Sequence, residues 1–287
     1  MFKGFQNTKT ISQFTGFVKS IFQMDSGANG LLRRLPSSSL AFSVRYLGGS
    51  NTEYCMKVRR SSDNALLDIG WIGADLDTVS LLAFAGAGSA FVHTWYDGSG
   101  NNNHATQLVN ASQPRIVNAG VLETVNGRPA IYFDGANDFF SLTNIITVPS
   151  AYVFSMVSRR TATSTRGIMG LCGDKGLAVY GNFSLTEWVD NTIYAGSTDF
   201  YNSITGATAV QSFISISLIS GGGQFSLNGS LLTASQTSQV NGSEWSAIAK
   251  RDADFSIGWL QEDILWNFAN RAYLPQIFSD QSAYYAN

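Results

Sequence analysis

The sequence predicts an all-β domain of the sandwich or jelly-roll kind, preceded by a helical or extended N-terminal segment. Short runs rich in β-branched and aromatic residues, "RPAIYFDG", "AYVFSMVS", "SFISISLI", "GQFSLNGSLL" and "ADFSIGWL", recur along the chain between Gly, Asn and Ser clusters. Asn228-Gly229 stands between "QFSL" and "SLL", and a two-residue type I′ turn needs the positive φ that this pair tolerates. Many short strands with turn signals pack as layers around one core. The 287 residues suffice for one large domain of this kind.

The elements follow in order. Within residues 1–40, Ile11, Phe14, Phe17, Val18, Ile21 and Phe22 fall at helical spacing and predict one solidly apolar face, ended by Gly27 and Gly30. A short isolated helix is marginal in water, so this stripe needs a partner surface. Residues 1–40 are therefore expected to be an attachment segment with the stripe as an assembly interface, and residues 41–287 to form the sandwich. "AFSVRYL" and "YCMKVRR" read as strands, and "DTVSLLAFAG" as a helix whose N-cap is Asp75 or Asp77. Trp71, Trp95, Trp259 and Trp266 are expected in the core.

Composition narrows the partners. Charged residues make up 13% of the chain, against roughly 25% in average soluble proteins. A net charge of -2 and a pI of 5.6 argue against nucleic acid, which is held by clustered Lys and Arg. No apolar run is long enough to cross a bilayer, so membrane insertion is not expected. The first residues lack the apolar core and cleavage site of a secretory signal, which points to synthesis in a host cytoplasm. Cys55 and Cys172, without an export signal, read as buried thiols.

The most unusual stretch, "HTWYDGSGNNNHATQ" (93–107), holds both histidines, His93 and His104. No helical spacing or cysteine cluster completes a zinc site around them. A strand ending at Tyr96, a tight Asp-Gly-Ser-Gly turn and an Asn-rich return explain the composition, with Asp97 bonding local N–H groups. Clustered loop oxygens suit a hard cation, which makes Asp97, Asp134, Asn137 and Asp138 candidate calcium ligands; no other cofactor is expected. A glycosidase needs two carboxyl groups flanking the scissile bond. The five glutamates are Glu53, Glu123, Glu187, Glu244 and Glu262. In a regular strand Glu187 and Asp190 face opposite ways, and Glu262 and Asp263 are adjacent, so no strand presents a carboxylate pair on one face. Trp188, Tyr194 and Trp245 lie in turn-rich contexts and are the candidate glycan platform.

"VRRSSDNALLDIG" (58–70), "LDTVSLLAFAG" (76–86) and "FVHTWYDGSGNNNHATQ" (91–107) together resemble the opening of the catalytic domain of fungal α-L-arabinofuranosidase B. "GRPAIYFDGANDFF" (127–140), "FSLNG" and "FSIGWL" resemble the wider laminin-G-like, concanavalin A-like jelly rolls of lectin modules, bacterial surface proteins and phage structural proteins. The resemblance implies a concanavalin A-like β-sandwich (jelly roll). That arabinofuranosidase domain carries its nucleophile beside a pair of adjacent cysteines, and "GLCGDKGLAVYG" around Cys172 has neither the pair nor a glutamate. The main expectation is thus a non-catalytic virion structural protein, a capsid decoration or tail-attached component located in the virion. Its partners would be other virion proteins, copies of itself, or cell-surface glycans. The alternatives are a surface adhesin or carbohydrate-binding module, and an arabinofuranosidase-type glycoside hydrolase.

Overall fold

The computed structural model describes residues 30–35, 38–49, 53–147, 151–160, 171–172, 178–184, 187–195, 198–200, 211–219, 222–234, 244–251 and 254–286. Among these the principal strands are β1 Ser38–Ser43, β2 Tyr54–Arg60, β3 Leu66–Ile72, β4 Ala90–Trp95, β5 Arg115–Asn118, β6 Ile131–Asp134 and β7 Phe140–Thr147. They continue with β8 Tyr152–Arg160, β9 Glu187–Ala195, β10 Gln211–Ile219, β11 Gly222–Leu227, β12 Ser230–Ala234, β13 Glu244–Ile248 and β14 Ile257–Trp266. Two helices matter below, α1 Thr78–Ala85 and α2 Leu274–Tyr285.

The strands form an antiparallel β-sandwich. One layer runs β5–β6–β14–β8–β10–β11–β12, with β1 beside the second half of β14 where β6 lies beside its first half. The other runs β3–β2–β4, then through Ala105–Thr106 to β7 and β13. β4 also pairs with β5, so the two layers are continuous along that side. Phe42, Trp95, Phe140, Phe154, Trp245 and Leu260, from both layers, are fully buried in one core cluster. Ring centroids of Phe42 and Trp95 are 5.6 Å apart and those of Trp95 and Phe140 6.3 Å. The Trp95 indole N–H donates to the Ser43 carbonyl at 3.1 Å, which satisfies its one polar atom inside an apolar core.

Local signals behave as the residues require. Asp77 caps α1 by accepting from Ser80 N at 2.9 Å. Asn228 and Gly229 take φ of 48° and 82° at the β11–β12 turn. Cys55 is buried and burial pushes its thiol pKa up, as an inert core thiol requires.

α2 lies on the outer face of β1 and β14. Leu274 and Ile277 pack there with Ala41, Val153, Ile264 and Trp266, and Leu31 and Leu35 join the same cluster. Folded structure therefore begins before residue 41, since β1 starts at Ser38 and residues 31–35 are packed beneath the C-terminal helix. Ile11, Phe14, Phe17, Val18, Ile21 and Phe22 lie outside the described residues.

Beside this apolar seam is a buried ion pair. Glu262 is fully buried and accepts from Arg45 Nε at 2.8 Å, Arg45 Nη2 at 3.3 Å, Ser43 Oγ at 3.0 Å, Tyr285 Oη at 3.1 Å and Gln281 Nε2 at 3.1 Å. Asp280 also pairs with Arg45. Burial works to lower the Arg45 pKa, but Glu262, Tyr285 and Asp280 outweigh it and hold the guanidinium above its usual value.

β14 contains an irregularity that sets its faces. Val157 stands opposite Glu262 and Ser158 opposite Leu260, so Gln261 is an extra residue. Its amide instead donates to the Pro129 carbonyl at 3.0 Å. Leu260 faces the core, which leaves its neighbour Trp259 on the outer face, half-buried. The expectation of a core Trp259 is thereby corrected, because with Leu260 turned to the core its neighbour must face outward. Trp71 is also half-buried, edge-on to Tyr46 at 5.8 Å, while Trp95 and Trp266 are in the cores.

Candidate functional site

Asp97 is fully buried in the 93–107 hairpin. Its Oδ1 accepts from Ala41 N at 2.9 Å and Ser99 N at 3.0 Å, and its Oδ2 from Ser99 Oγ at 2.8 Å and Asn103 N at 3.1 Å. The asparagines tie the hairpin down: Asn101 donates to the Ser39 carbonyl at 3.0 Å, and Asn103 exchanges bonds with the Asn144 backbone. His104 Nδ1 accepts from Asp97 N at 3.1 Å, which requires a neutral ring, and burial lowers the His104 pKa. His93 pairs with Thr94 Oγ1 at 2.9 Å; burial and then Lys57 and Arg59 lower its pKa. The stretch is a pinned turn that fastens β4 to β1 and β7. Among the described residues no three His, Cys, Asp or Glu side chains converge as a metal site.

Asp134, Asn137 and Asp138 share the turn between β6 and β7. Asp134 Oδ1 accepts from Ala136 N at 2.8 Å and Asn137 N at 3.2 Å, and Asp138 Oδ2 accepts from Asp134 N at 3.0 Å. Burial and the nearby Asp134 charge push the Asp138 carboxyl up to about 7.

The surface best suited to a saccharide lies on the outer face beside this turn. Arg115, Tyr132, Trp259 and Arg159 are successive cross-strand partners on β5, β6, β14 and β8. Tyr132 and Trp259 have ring centroids 5.0 Å apart; Arg115 Cζ sits 4.7 Å from the Tyr132 centroid and Arg159 Cζ 5.2 Å from the Trp259 centroid. Glu123 joins the row, bonding Arg115 Nε at 2.8 Å and Trp259 Nε1 at 3.0 Å. Arg115, Tyr132, Trp259 and Arg159 are half-buried, with side-chain edges reaching solvent. The sequence hid this row because its members come from separate strands and Trp259 was assigned to the core; the pattern that marks it is the pairing register.

Of the expected glycan platform, Trp245 is fully buried with Tyr152 edge-on at 5.6 Å, so it is a core residue and offers no ring face to a ligand. Trp188 and Tyr194 are on β9, and their side chains lie outside the described residues. Glu187 and Asp190 are on the same strand. There Val189 pairs with Asn182 and Asn191 with Gly181, so Asp190 has no cross-strand partner. The strict alternation that separated Glu187 from Asp190 in the sequence is interrupted between them.

No protein-family model matches the chain, and no curated protein matches it. Solved structures do. One is an arabinofuranosidase complexed with arabinofuranosyl-α-1,2-xylobiose, with a TM-score of 0.63 and 15% identity, covering 85% of this chain and 62% of that chain. Another is a GH54 α-L-arabinofuranosidase soaked with a cyclic sulfate inhibitor, with a TM-score of 0.62, 16% identity and the same coverage. This chain thus spans less than two thirds of the length of these two structures. At such identity the likeness establishes a shared β-sandwich, in agreement with the resemblance carried by residues 58–107. It overturns the expectation of a non-catalytic capsid or tail protein, because the structures sharing the fold are glycoside hydrolases. That expectation leaned on finding no carboxylate pair along one regular strand, a criterion that bulges and contributions from separate strands make insufficient.

Two outcomes follow from the turns. Asp97→Ala strands several buried N–H donors at about 1–3 kcal/mol each, so its melting temperature falls sharply while carbohydrate binding is retained by the protein that stays folded; an unchanged melting temperature would refute the structural role. Asp138, with a raised folded pKa, contributes stability that is complete below the unfolded value of 3.8 and is lost as pH rises through about 7. Thermal melts from pH 4 to 8 should show the wild type losing stability relative to Asp138→Asn over that window, and parallel curves would contradict the assignment.

Proposed function

We propose that the chain is a glycoside hydrolase of the arabinofuranosidase type, acting on a polysaccharide. The observation that carries this reading is the sandwich shared over 85% of the chain with an arabinofuranosidase. The motif resemblance of residues 58–107 and the half-buried row of Tyr132 and Trp259 support it. Glycoside hydrolysis needs a general acid and a second carboxylate close by. Glu187 and Asp190 are the first candidates, since they share β9 across an irregularity and bulges are enriched beside active sites. Glu262 and Asp97 are excluded from that role in this reading, because each is fully buried and engaged by four or more donors.

The test is release of 4-nitrophenol from 4-nitrophenyl α-L-arabinofuranoside and of arabinose from arabinoxylan. The wild type is expected to act on both, with Glu187→Gln or Asp190→Asn lowering kcat by about a hundredfold or more at unchanged melting temperature. A wild type inactive on both substrates overturns the reading. Full activity in both variants would remove these two carboxylates from it.

A further inference from the structure

We infer that the outer-face row binds a carboxylate-bearing sugar, a hexuronic acid within a polysaccharide, with Arg159 as the anion-binding group. That the ligand is a saccharide rests on the proposed function; its charge is argued from the row alone.

The four side chains do not present a bare aromatic shelf. Arg115 lies over Tyr132 and Arg159 over Trp259, so a guanidinium occupies one face of each ring, and the two rings tilt at 50° against each other. With those faces taken, stacking of a neutral pyranose is disfavoured, and the row offers hydrogen-bond donors instead. The two arginines are not equivalent. Arg115 is neutralised by Glu123, whose Oε1 accepts from its Nε at 2.8 Å and lies 2.7 Å from its Nη2. The other Glu123 oxygen is taken by the Trp259 indole N–H. Arg159 has no ion pair and no hydrogen bond among the described residues, and its Nε–H is enclosed without an acceptor. An enclosed donor is out of a ligand's reach, so a carboxylate meets the two Nη groups of Arg159, which are not enclosed. Two further carboxylates face this region, Asp134 and Asp138, and both are committed to backbone N–H groups of their own turn.

The guanidinium is a planar fork that matches a carboxylate with two parallel bonds. Gln211, the next cross-strand partner after Arg159, closes the row on β10, since it is buried with its amide donating to Gln261 Oε1 and accepting from Asn126 Nδ2. With strands about 4.8 Å apart, four neighbouring side chains span about 14 Å, wider than one sugar ring. A uronic acid held on Arg159 therefore leaves Tyr132 Oη within the row for an adjoining sugar.

The experiment measures binding separately from hydrolysis, by calorimetric titration of the full chain with glucuronoxylan, neutral arabinoxylan and a sulfated polysaccharide. Glucuronoxylan is expected to bind about tenfold more tightly than arabinoxylan, as one charge-assisted contact provides. Arg159→Gln should abolish that preference, and Arg159→Lys should restore only part of it, at unchanged melting temperature. Equal affinity for the charged and neutral xylans overturns the inference, as does a preference that survives in Arg159→Gln. Equal binding of the sulfated polysaccharide also overturns it, by reducing the site to general charge attraction. A wild type that prefers glucuronoxylan but has no arabinofuranosidase activity leaves this inference standing and refutes the proposed function alone.

Discussion

The placement of β14 depends on the buried carboxylate of Glu262. An uncompensated charge at that depth is prohibitive, so the fold must bring Arg45 from the end of β1, Ser43 from β1 itself, and Gln281 and Tyr285 from α2 to the same point. Those partners come from distant parts of the chain, and satisfying them ties its C-terminal helix to its first strand. The apolar seam of Leu31, Leu35, Ile264, Trp266, Leu274 and Ile277 supplies the burial that the ion pair itself does not. With β14 fixed between β1, β6 and β8, its extra residue Gln261 determines that Glu262 and Trp259 both face outward. Glu262 is covered by α2, and Trp259 is left open for the arginine-flanked row.

Much of the fold is legible in the sequence, for physical reasons that can be named. The Asn228-Gly229 turn and the Asp77 cap are local devices whose chemistry is complete within a few residues. The 93–107 stretch is also legible as a turn, since Asp97 and its asparagines act on nearby backbone. What the sequence does not disclose is long-range. Glu262 reads as one of two adjacent carboxylates in a strand, and its partners lie at positions 43, 45, 281 and 285. Trp245 in its turn-rich context reads as exposed and is core, while Trp259 within an apparent strand reads as core and is on the outer face. Both reversals arise from pairing register, which local pattern does not fix when a bulge intervenes.

The functional site divides in the same way. The resemblance of residues 58–107 leads toward arabinofuranosidases, yet that stretch is scaffold, holding β4 against β1 and β7. A search for carboxylates at alternate positions on one strand presumes regular pleating, and β9 is irregular between Val189 and Asn191. The low content of charged side chains, 13% of the chain, fits the proposed contact with polysaccharide through hydroxyl and amide groups. Against that background the charged and aromatic residues gathered on the outer face stand out as a local concentration.

A double-mutant cycle on Arg45 and Glu262 tests the dependence of the structure on the buried pair most directly. Arg45→Met, Glu262→Leu and the double variant would be unfolded in denaturant and their free energies compared. Arg45→Met is predicted to cost about 3–5 kcal/mol because it leaves Glu262 buried without a counter-charge, Glu262→Leu less because Arg45 keeps Asp280, and the double variant much less than their sum. Single changes worth under about 1 kcal/mol each that add in the double variant would contradict the account, and would leave the apolar seam alone to hold α2 against β1 and β14.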